Sequence, residues 1–364
     1  MSERTVARLG KIRTSMKATN TQLVALGPGA HMQWVLGFHT HPDERPCLLL
    51  IGESREAFLM PSLNAEDTRQ RSSITCHKWS DDEGPTMALI SALKDVGASQ
   101  AKSMVLDETM RADFAMLLVD QLPAAKRRFT ENTVGLLRMR KDENEYASLK
   151  ENAGIADQAM LSGFAAIKPG LSELAIAATI QQEFKAQNAD MKFAIVGGGP
   201  NGALPHHKTG TRILGEGDPI VMDIGGQKGE FSSDITRSAI LGEPSEEYLQ
   251  VHAIVNEAVI SALQVAKPGI KAKEIDHAAR RVITKAGYGD YFVHRTGHGL
   301  GIEVHEPPYI SASSETIMET GMVFSIEPGI YLPGKFGVRL EEIVILREDG
   351  PEILSSLPRD IVRL

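Results

Sequence analysis

The sequence predicts an α/β (α+β) protein of two domains, the larger one built from two similar halves. Three observations carry that expectation. At 364 residues the chain is longer than one hydrophobic core usually organises. Short apolar runs alternate with helical stretches over residues 20–130. Two later helices end in "IKPG" (167–170) and "AKPG" (266–269), and each ending leads to a further helical stretch, a short apolar run and a loop rich in glycine and histidine.

The runs "CLLLI", "EAFLM", "TMALISAL" and "FAMLLV" predict a small α/β domain over 1–138. The polar segment "LRMRKDENEY" follows, in which Asp142 with Glu145 three later marks a helix start. The amphipathic run "EYASLKENAGIADQAMLSGFAAI" then reads as one helix, stopped at Lys168-Pro169-Gly170, inside a second domain over 139–364. A second long helix, "EEYLQVHAIVNEAVISALQVA", stops at Lys267-Pro268-Gly269. His206 lies 37 residues after Pro169, and His305 lies 37 residues after Pro268. Equal spacings of this kind predict two αβ halves that each deliver one histidine to a shared place. A hairpin is predicted after each: 219–241, turning at Gly/Gln/Lys/Gly, and 322–346, turning at Pro-Gly-Lys.

Composition narrows the class. Hydrophobic residues make up 42% and charged residues 24%, as in a globular protein made for water. A net charge of −8 argues against a nucleic-acid or anionic-membrane partner. The start "MSERTVARLGKIR" has no apolar core of a secretory signal, and no run reaches membrane-spanning length. Cys47 and Cys76 form neither a CxxC nor a disulfide framework, so two reduced thiols in a cytoplasmic protein are expected.

The stretch "TGHGLGIEVHEPP" (296–308) sets His298 and His305 among three glycines, poor material for a core strand unless something approaches the backbone closely. The hairpins supply the rest of a site. Asp223 and Asp234 interrupt the apolar runs of the first, Glu327 and Glu341 those of the second. Carboxylates in strands bound for burial are costly unless paired or bound to metal. On opposed hairpin positions, with Cβ atoms about 4.5–5.5 Å apart, two of them repel unless a cation lies between. Four carboxylates and one imidazole form an oxygen-rich donor set for two divalent ions. Glu342, next to Glu341, faces the other way and is expected at solvent.

Other site types fail. "GGGPNG" (197–202) neither opens a GxGxxG helix nor precedes GK[ST], and no GxSxG elbow is present. "HEPPY" carries two prolines and cannot continue as an HExxH zinc helix.

The segments "ALPHH", "VMDIGGQKGEFSSDITR", "GHGLGIEVHEPP", "SIEPGIY" and "GVRLEE" resemble the metallopeptidases related to prolidase, aminopeptidase P and methionine aminopeptidase. The resemblance covers 140–364, with the site residues in the order Asp, Asp, His, Glu, Glu at gaps of 11, 64, 29 and 14. "MQWVLGFHTHPDERP" resembles, more weakly, the creatinase-type N-terminal domain of the prolidase branch. The resemblance implies a pita-bread fold of two pseudo-symmetric halves and two divalent ions, with manganese first and cobalt or zinc also suited. It implies that Asp223 chelates one ion, that Asp234 and Glu341 bridge both, and that His298 and Glu327 complete the second. It implies substrate contacts for His206 and His305, a proton-accepting role for Glu327, and an Arg339 that supports the bridging carboxylate.

The activity implied is cleavage of Xaa-Pro bonds in short peptides, above all dipeptides, by a hydroxide held between the ions, in a homodimer. An Xaa-Pro aminopeptidase or an ectoine-type small-amide hydrolase would keep the same site, and a metal-free binding module would abandon it. Many relatives read Pro-His-Gly where this chain reads Pro-His-His, and the additional His207 is expected to be a surface loop residue. His39 and His41 are either ordinary loop histidines or reach a neighbour's site in the dimer.

Overall fold

A computed structural model describes all 364 residues, and in it the chain separates into two units, Met1–Arg138 and Met139–Leu364. The first unit runs α1 (Glu3–Ala18), β1 (Leu23–Leu26), α2 (Ala30–Leu36), β2 (Leu48–Gly52), β3 (Glu56–Pro61), α3 (Ala65–Arg71), β4 (Thr75–Trp79), α4 (Thr86–Asp95), β5 (Ser103–Leu106), α5 (Ala112–Gln121), β6 (Lys126–Arg128) and α6 (Val134–Met139). Its six strands lie in the order β4-β3-β2-β1-β5-β6, antiparallel at β1–β2 and β2–β3 and parallel elsewhere. The apolar runs divide by period. "CLLLI" and "EAFLM" lie in β2 and β3, where nearly every residue is buried. In α4 and α5 only one face is covered: Leu89 with Leu93, and Phe114 with Leu118, each four apart, enter the core while Met87 and Met116 stay exposed.

A polar network lies within this unit. Glu108 accepts from Thr130 Oγ1 at 2.7 Å and lies 3.5 Å from His31 Nε2, while His31 Nδ1 faces Arg138 at 3.1 Å. Burial pushes the Glu108 carboxyl up, but the hydrogen bonds from His31 and Thr130 outweigh it and hold it at about 2. A carboxylate depressed in the folded state adds stability above its unfolded pKa and loses it as pH falls toward the folded value. Glu108→Gln should therefore destabilise the fold above pH 5, by less than about 1 kcal/mol for so exposed a side chain, and lower Tm with it. The deficit should vanish near pH 2. Thermal melts across that range test this, and a deficit constant with pH would contradict it.

The second unit holds α7 (Glu143–Ala166), α8 (Glu173–Ala186), β7 (Asp190–Gly198), β8 (Pro219–Lys228), β9 (Phe231–Ser232), β10 (Ile235–Ile240), α9 (Glu246–Val265), α10 (Ala272–Lys285), β11 (Gly297–Gly299), β12 (Glu306–Ile310), β13 (Val323–Ile326), β14 (Gly329–Leu332), β15 (Phe336–Arg339), β16 (Glu342–Arg347), β17 (Gly350–Ile353) and β18 (Val362–Arg363). Asp142 caps α7 as the sequence predicts, accepting from Asn144 N and Glu145 N while Glu145 Oε2 accepts from Asp142 N. Such a cap contributes about 1 kcal/mol. The two long helices end at Ala166 and Val265, just before the Lys-Pro-Gly stops.

Each half is a helix pair with its own sheet. In the first, Met160, Phe164, Ile180 and Phe184 of α7 and α8 pack on Ile220, Met222 and Ile224 of a sheet ordered β18-β10-β8-β7, with β9 paired to β8. In the second, α9 and α10 accompany a sheet ordered β12-β11-β13-β16-β17. The predicted hairpin 322–346 is split. Val323–Ile326 pairs with Glu342–Ile345 in that sheet, whereas Gly329–Leu332 pairs with Phe336–Arg339 in a separate ribbon. The prolines and glycines at Pro328 and Pro333-Gly334 permit the change of direction.

Glu342 does not face solvent. It is buried against Arg237, itself 1% exposed, at 3.1 Å, and against Arg359 at 2.8 Å. Arg237 also donates to the carbonyls of Pro358, Leu357 and Thr236 and to that of Glu341. The face opposite the site is covered as well, so strand alternation sends this acid to a second interior. No helix is long and apolar enough to cross a membrane, and both cysteines are free.

Candidate metal centre and active site

The glycines of "TGHGLG" admit neighbouring protein atoms, backbone at Gly297 and Gly299 and the Glu306 carboxylate at Gly301. A Cβ on Gly297 would stand 1.9 Å from Ser325 O, and one on Gly299 would stand 2.2 Å from Pro307 O. Gly299 pairs with both Glu306 and Phe324, so β11 is wedged between β12 and β13 and presents His298 inward. His298 N takes Ser325 Oγ as acceptor at 2.9 Å, and the Ser325 hydroxyl donates to Glu327 Oε1 at 3.0 Å.

All five sequence-derived candidates for metal binding converge here. Asp223 opposes Thr236 in the β8–β10 ladder, and Asp234 lies two residues before Thr236. The two aspartates are therefore diagonal neighbours on one face, not the directly opposed pair the hairpin pattern suggests. Glu327 and Glu341 stand one residue beyond the paired Ile326 and Glu342, where the chain leaves one sheet for the ribbon. Ligand atoms of Asp223, Asp234 and Glu341 lie within 4.8 Å of one another, as do those of His298, Glu327 and Glu341. Glu341 belongs to both groups. His298 Nε2 is 3.0 Å from Glu327 Oε1 and 3.8 Å from Asp234 Oδ2.

The donor set fits divalent cations on two counts. Asp223 Oδ1 and Glu341 Oε1 are buried with no hydrogen-bond partner, an expensive state for carboxylate oxygens unless a cation faces them. Burial, then the charges of Glu341 and Asp223, push the Asp234 carboxyl well above the usual range, and burial with Glu327 and Asp223 does the same to Glu341. A cluster that resists full ionisation alone is one that cations stabilise. His31, Asp107 and Glu108 also lie together, but Asp107 accepts from Gly27 N and Thr109 and Arg138 faces His31. That group is satisfied without a metal.

Asp223, Asp234, His298 and Glu327 line a cavity of about 720 Å³ together with His206, His305, His294, Arg295, Tyr331 and Arg339. His305 stacks edge-on to His298 with ring centroids 4.2 Å apart. Burial, reinforced by the nearby His298 and Arg295, lowers the His305 imidazole to about 4. Arg339 donates to Asp223 Oδ2 at 2.6 Å and reaches Glu341 only through Thr236, which accepts from Arg339 Nε at 3.2 Å and donates to Glu341 Oε2 at 2.9 Å. Its direct carboxylate partner is thus Asp223, whereas the sequence resemblance pointed to a bridging one.

Sequence reasoning missed His294 and Tyr331. His294 Nδ1 faces the carbonyl of Arg295 at 2.7 Å and so carries the proton. Its Nε2 therefore accepts from Tyr331 OH at 2.8 Å, and that oxygen accepts from Arg339 at 2.8 Å. The available signal was spacing: His294 precedes His298 by four, and Tyr331 follows Glu327 by four. His207, expected at the surface, is half-buried with Nε2 2.9 Å from the fully buried Glu173. His39 and His41 lie on an exposed loop of the first unit.

A carboxylate-rich cluster with one imidazole, drawn from two αβ halves and lining a cavity, defines a metal-dependent hydrolase. Residues 147–348 match metallopeptidase family M24, and residues 8–140 match the creatinase/prolidase N-terminal domain. The chain belongs to family M24, and its larger unit has that family's pita-bread fold with a creatinase-type domain before it. It is similar to an Xaa-Pro dipeptidase of Pyrococcus horikoshii, 31% identical over 358 residues spanning 98% of each chain. It is also similar to the crystal structure of a prolidase from Thermococcus sibiricus (TM-score 0.92, 34% identity, 100% of both chains). The crystal structure of dipeptidase PepE from Mycobacterium ulcerans superposes with a TM-score of 0.94 at 31% identity, over 99% of this chain and 98% of that one.

Proposed function

We propose that the protein hydrolyses the Xaa-Pro bond of dipeptides at a centre of two divalent ions held by Asp223, Asp234, His298, Glu327 and Glu341. The observation that carries this reading is the convergence of those five side chains, four of which line a cavity whose walls include Phe193, Ile195, Val304 and Arg295. Bound divalent cations lower the pKa of water and polarise a carbonyl. The protein's own groups do the rest. Glu327, 3.0 Å from His298, is the carboxylate placed to accept a proton from water. His305, neutral at pH 7, offers an N–H to the oxyanion that develops at the scissile carbonyl, and His206 stands ready at the leaving nitrogen. Arg339 and Thr236 fix Asp223 and Glu341 in place.

Support for a dipeptide comes from Arg295. Its guanidinium lies over the Tyr309 ring at 4.4 Å instead of in an ion pair, leaving it free to bind the carboxylate that follows proline in a dipeptide. The apolar wall suits a pyrrolidine ring. Steady-state kinetics on Ala-Pro, Ala-Pro-Ala, Ala-Ala and an N-acetyl diamine acid test the reading. Ala-Pro should have the highest kcat/KM. If the acetylated amide leads while both proline peptides stay at background, the small-amide alternative takes its place. Arg295→Met should raise KM for Ala-Pro roughly 10- to 100-fold, the worth of one charge-assisted hydrogen bond, and leave Ala-Pro-Ala nearly unchanged. An oxygen-rich set with one imidazole suits manganese first, then cobalt or zinc. The same reading carries a homodimer in the cytoplasm, the compartment being supported by two free thiols.

A further inference from the structure

His206 lines the cavity, yet its imidazole makes no hydrogen bond within the chain; its aim depends on the residues beside it. On one side, Arg339 donates to Pro205 O at 3.4 Å. On the other, His207 Nε2 donates to Glu173 Oε2 at 2.9 Å. Glu173 is the first residue of α8, its side chain wholly out of solvent. It also accepts from Gly198 N at 2.9 Å, Asn201 Nδ2 at 2.8 Å and Gly210 N at 3.1 Å. Both oxygens are thereby filled, two donors each, from both ends and the middle of the segment that carries His206. Burial pushes this carboxyl up, but those hydrogen bonds prevail and keep it ionised below its ordinary range.

We propose that Glu173 and His207 are positioning residues that aim the His206 imidazole at the scissile amide. This rests on the role proposed above for His206. Three of the four bonds to Glu173 survive without the His207 ring, so the segment still folds when that ring is removed. What is lost is the constraint next to His206. In a site where the reacting geometry is set to within an ångström, displacement of that size costs turnover about 10- to 100-fold.

The test uses metal-loaded enzyme with Ala-Pro. His207→Ala should lower kcat by about that factor, with KM, metal content and Tm close to those of the parent. Amide hydrogen exchange over 204–210 should quicken. His207→Gln, whose amide N–H can reach Glu173, should recover most of the loss, which a general packing defect would not allow. In a His206→Ala background, His207→Ala should have almost no further effect, because its whole action passes through His206. Losses that multiply in the double variant, or an unchanged kcat in His207→Ala, overturn the proposal while leaving the peptidase reading intact. An unchanged kcat in His206→Ala overturns both the aim and the role assigned to His206.

Discussion

Asp234→Ala should abolish activity and empty the metal centre together. Asp234 is common to two groups of ligand atoms, one with Asp223 and Glu341 and the other with His298 and His305, so its loss strips a carboxylate from both ends of the site. The parent protein, reconstituted and desalted, should hold about two divalent ions per chain, and the variant far fewer. Turnover should fall by more than about a thousandfold, since removing only an outer-shell partner already costs roughly 10- to 100-fold. Metal raises Tm through its preference for the folded state, and the variant should lose that increment. Two ions still bound per chain of the variant would refute the bridging assignment.

His206→Ala and His305→Ala should separate catalysis from metal binding. Each should reduce kcat by about a hundred- to a thousandfold, the range for one oxyanion donor, with metal content near that of the parent. The contrast with His298→Ala is the informative part, because His298 Nε2 lies 3.0 Å from Glu327 and 3.8 Å from Asp234, where loss of the ring should release metal. His305 is the sharper test. Its ring stacks on His298 and its nitrogen lies among the atoms grouped with Asp234 and His298. Metal loss in His305→Ala equal to that in His298→Ala would make it a ligand.

The parts legible in the sequence are those set by near neighbours along the chain. The Asp142–Glu145 cap, the helix ends at Lys-Pro-Gly and the acids interrupting apolar runs all announce themselves within a few residues. The assembly of Asp223, Asp234, His298, Glu327 and Glu341 in one place could be anticipated because each hairpin carried its pair of acids and the family resemblance set His298 between them. Long-range choices were not legible. Glu342 meets Arg237 across 105 positions, so alternation within one strand could not reveal that both faces of that strand are interior. The split of 322–346 between two sheets depends on where each arm finds a partner, which turn residues permit but do not dictate. His207 looked like loop because its partner, Glu173, is a helix-starting residue 34 positions earlier.

The Arg237 network ties the two halves of the larger unit to each other. Arg237 sits in the first half, but apart from Thr236 O its acceptors lie far downstream, among them the backbone of 341, 357 and 358 and the side chain of Glu342, and its strand β10 gains its outer neighbour only from β18. The sheet that carries the two aspartates thus takes its edge strand, and Arg237 its counter-charge, from more than a hundred residues downstream. Glu341 is where the two halves meet, its N–H donating to Thr236 O at 3.2 Å and its carboxylate grouped with acids of both. Neither half carries the ligand cluster alone: Asp223 and Asp234 come from the first, His298, Glu327 and Glu341 from the second.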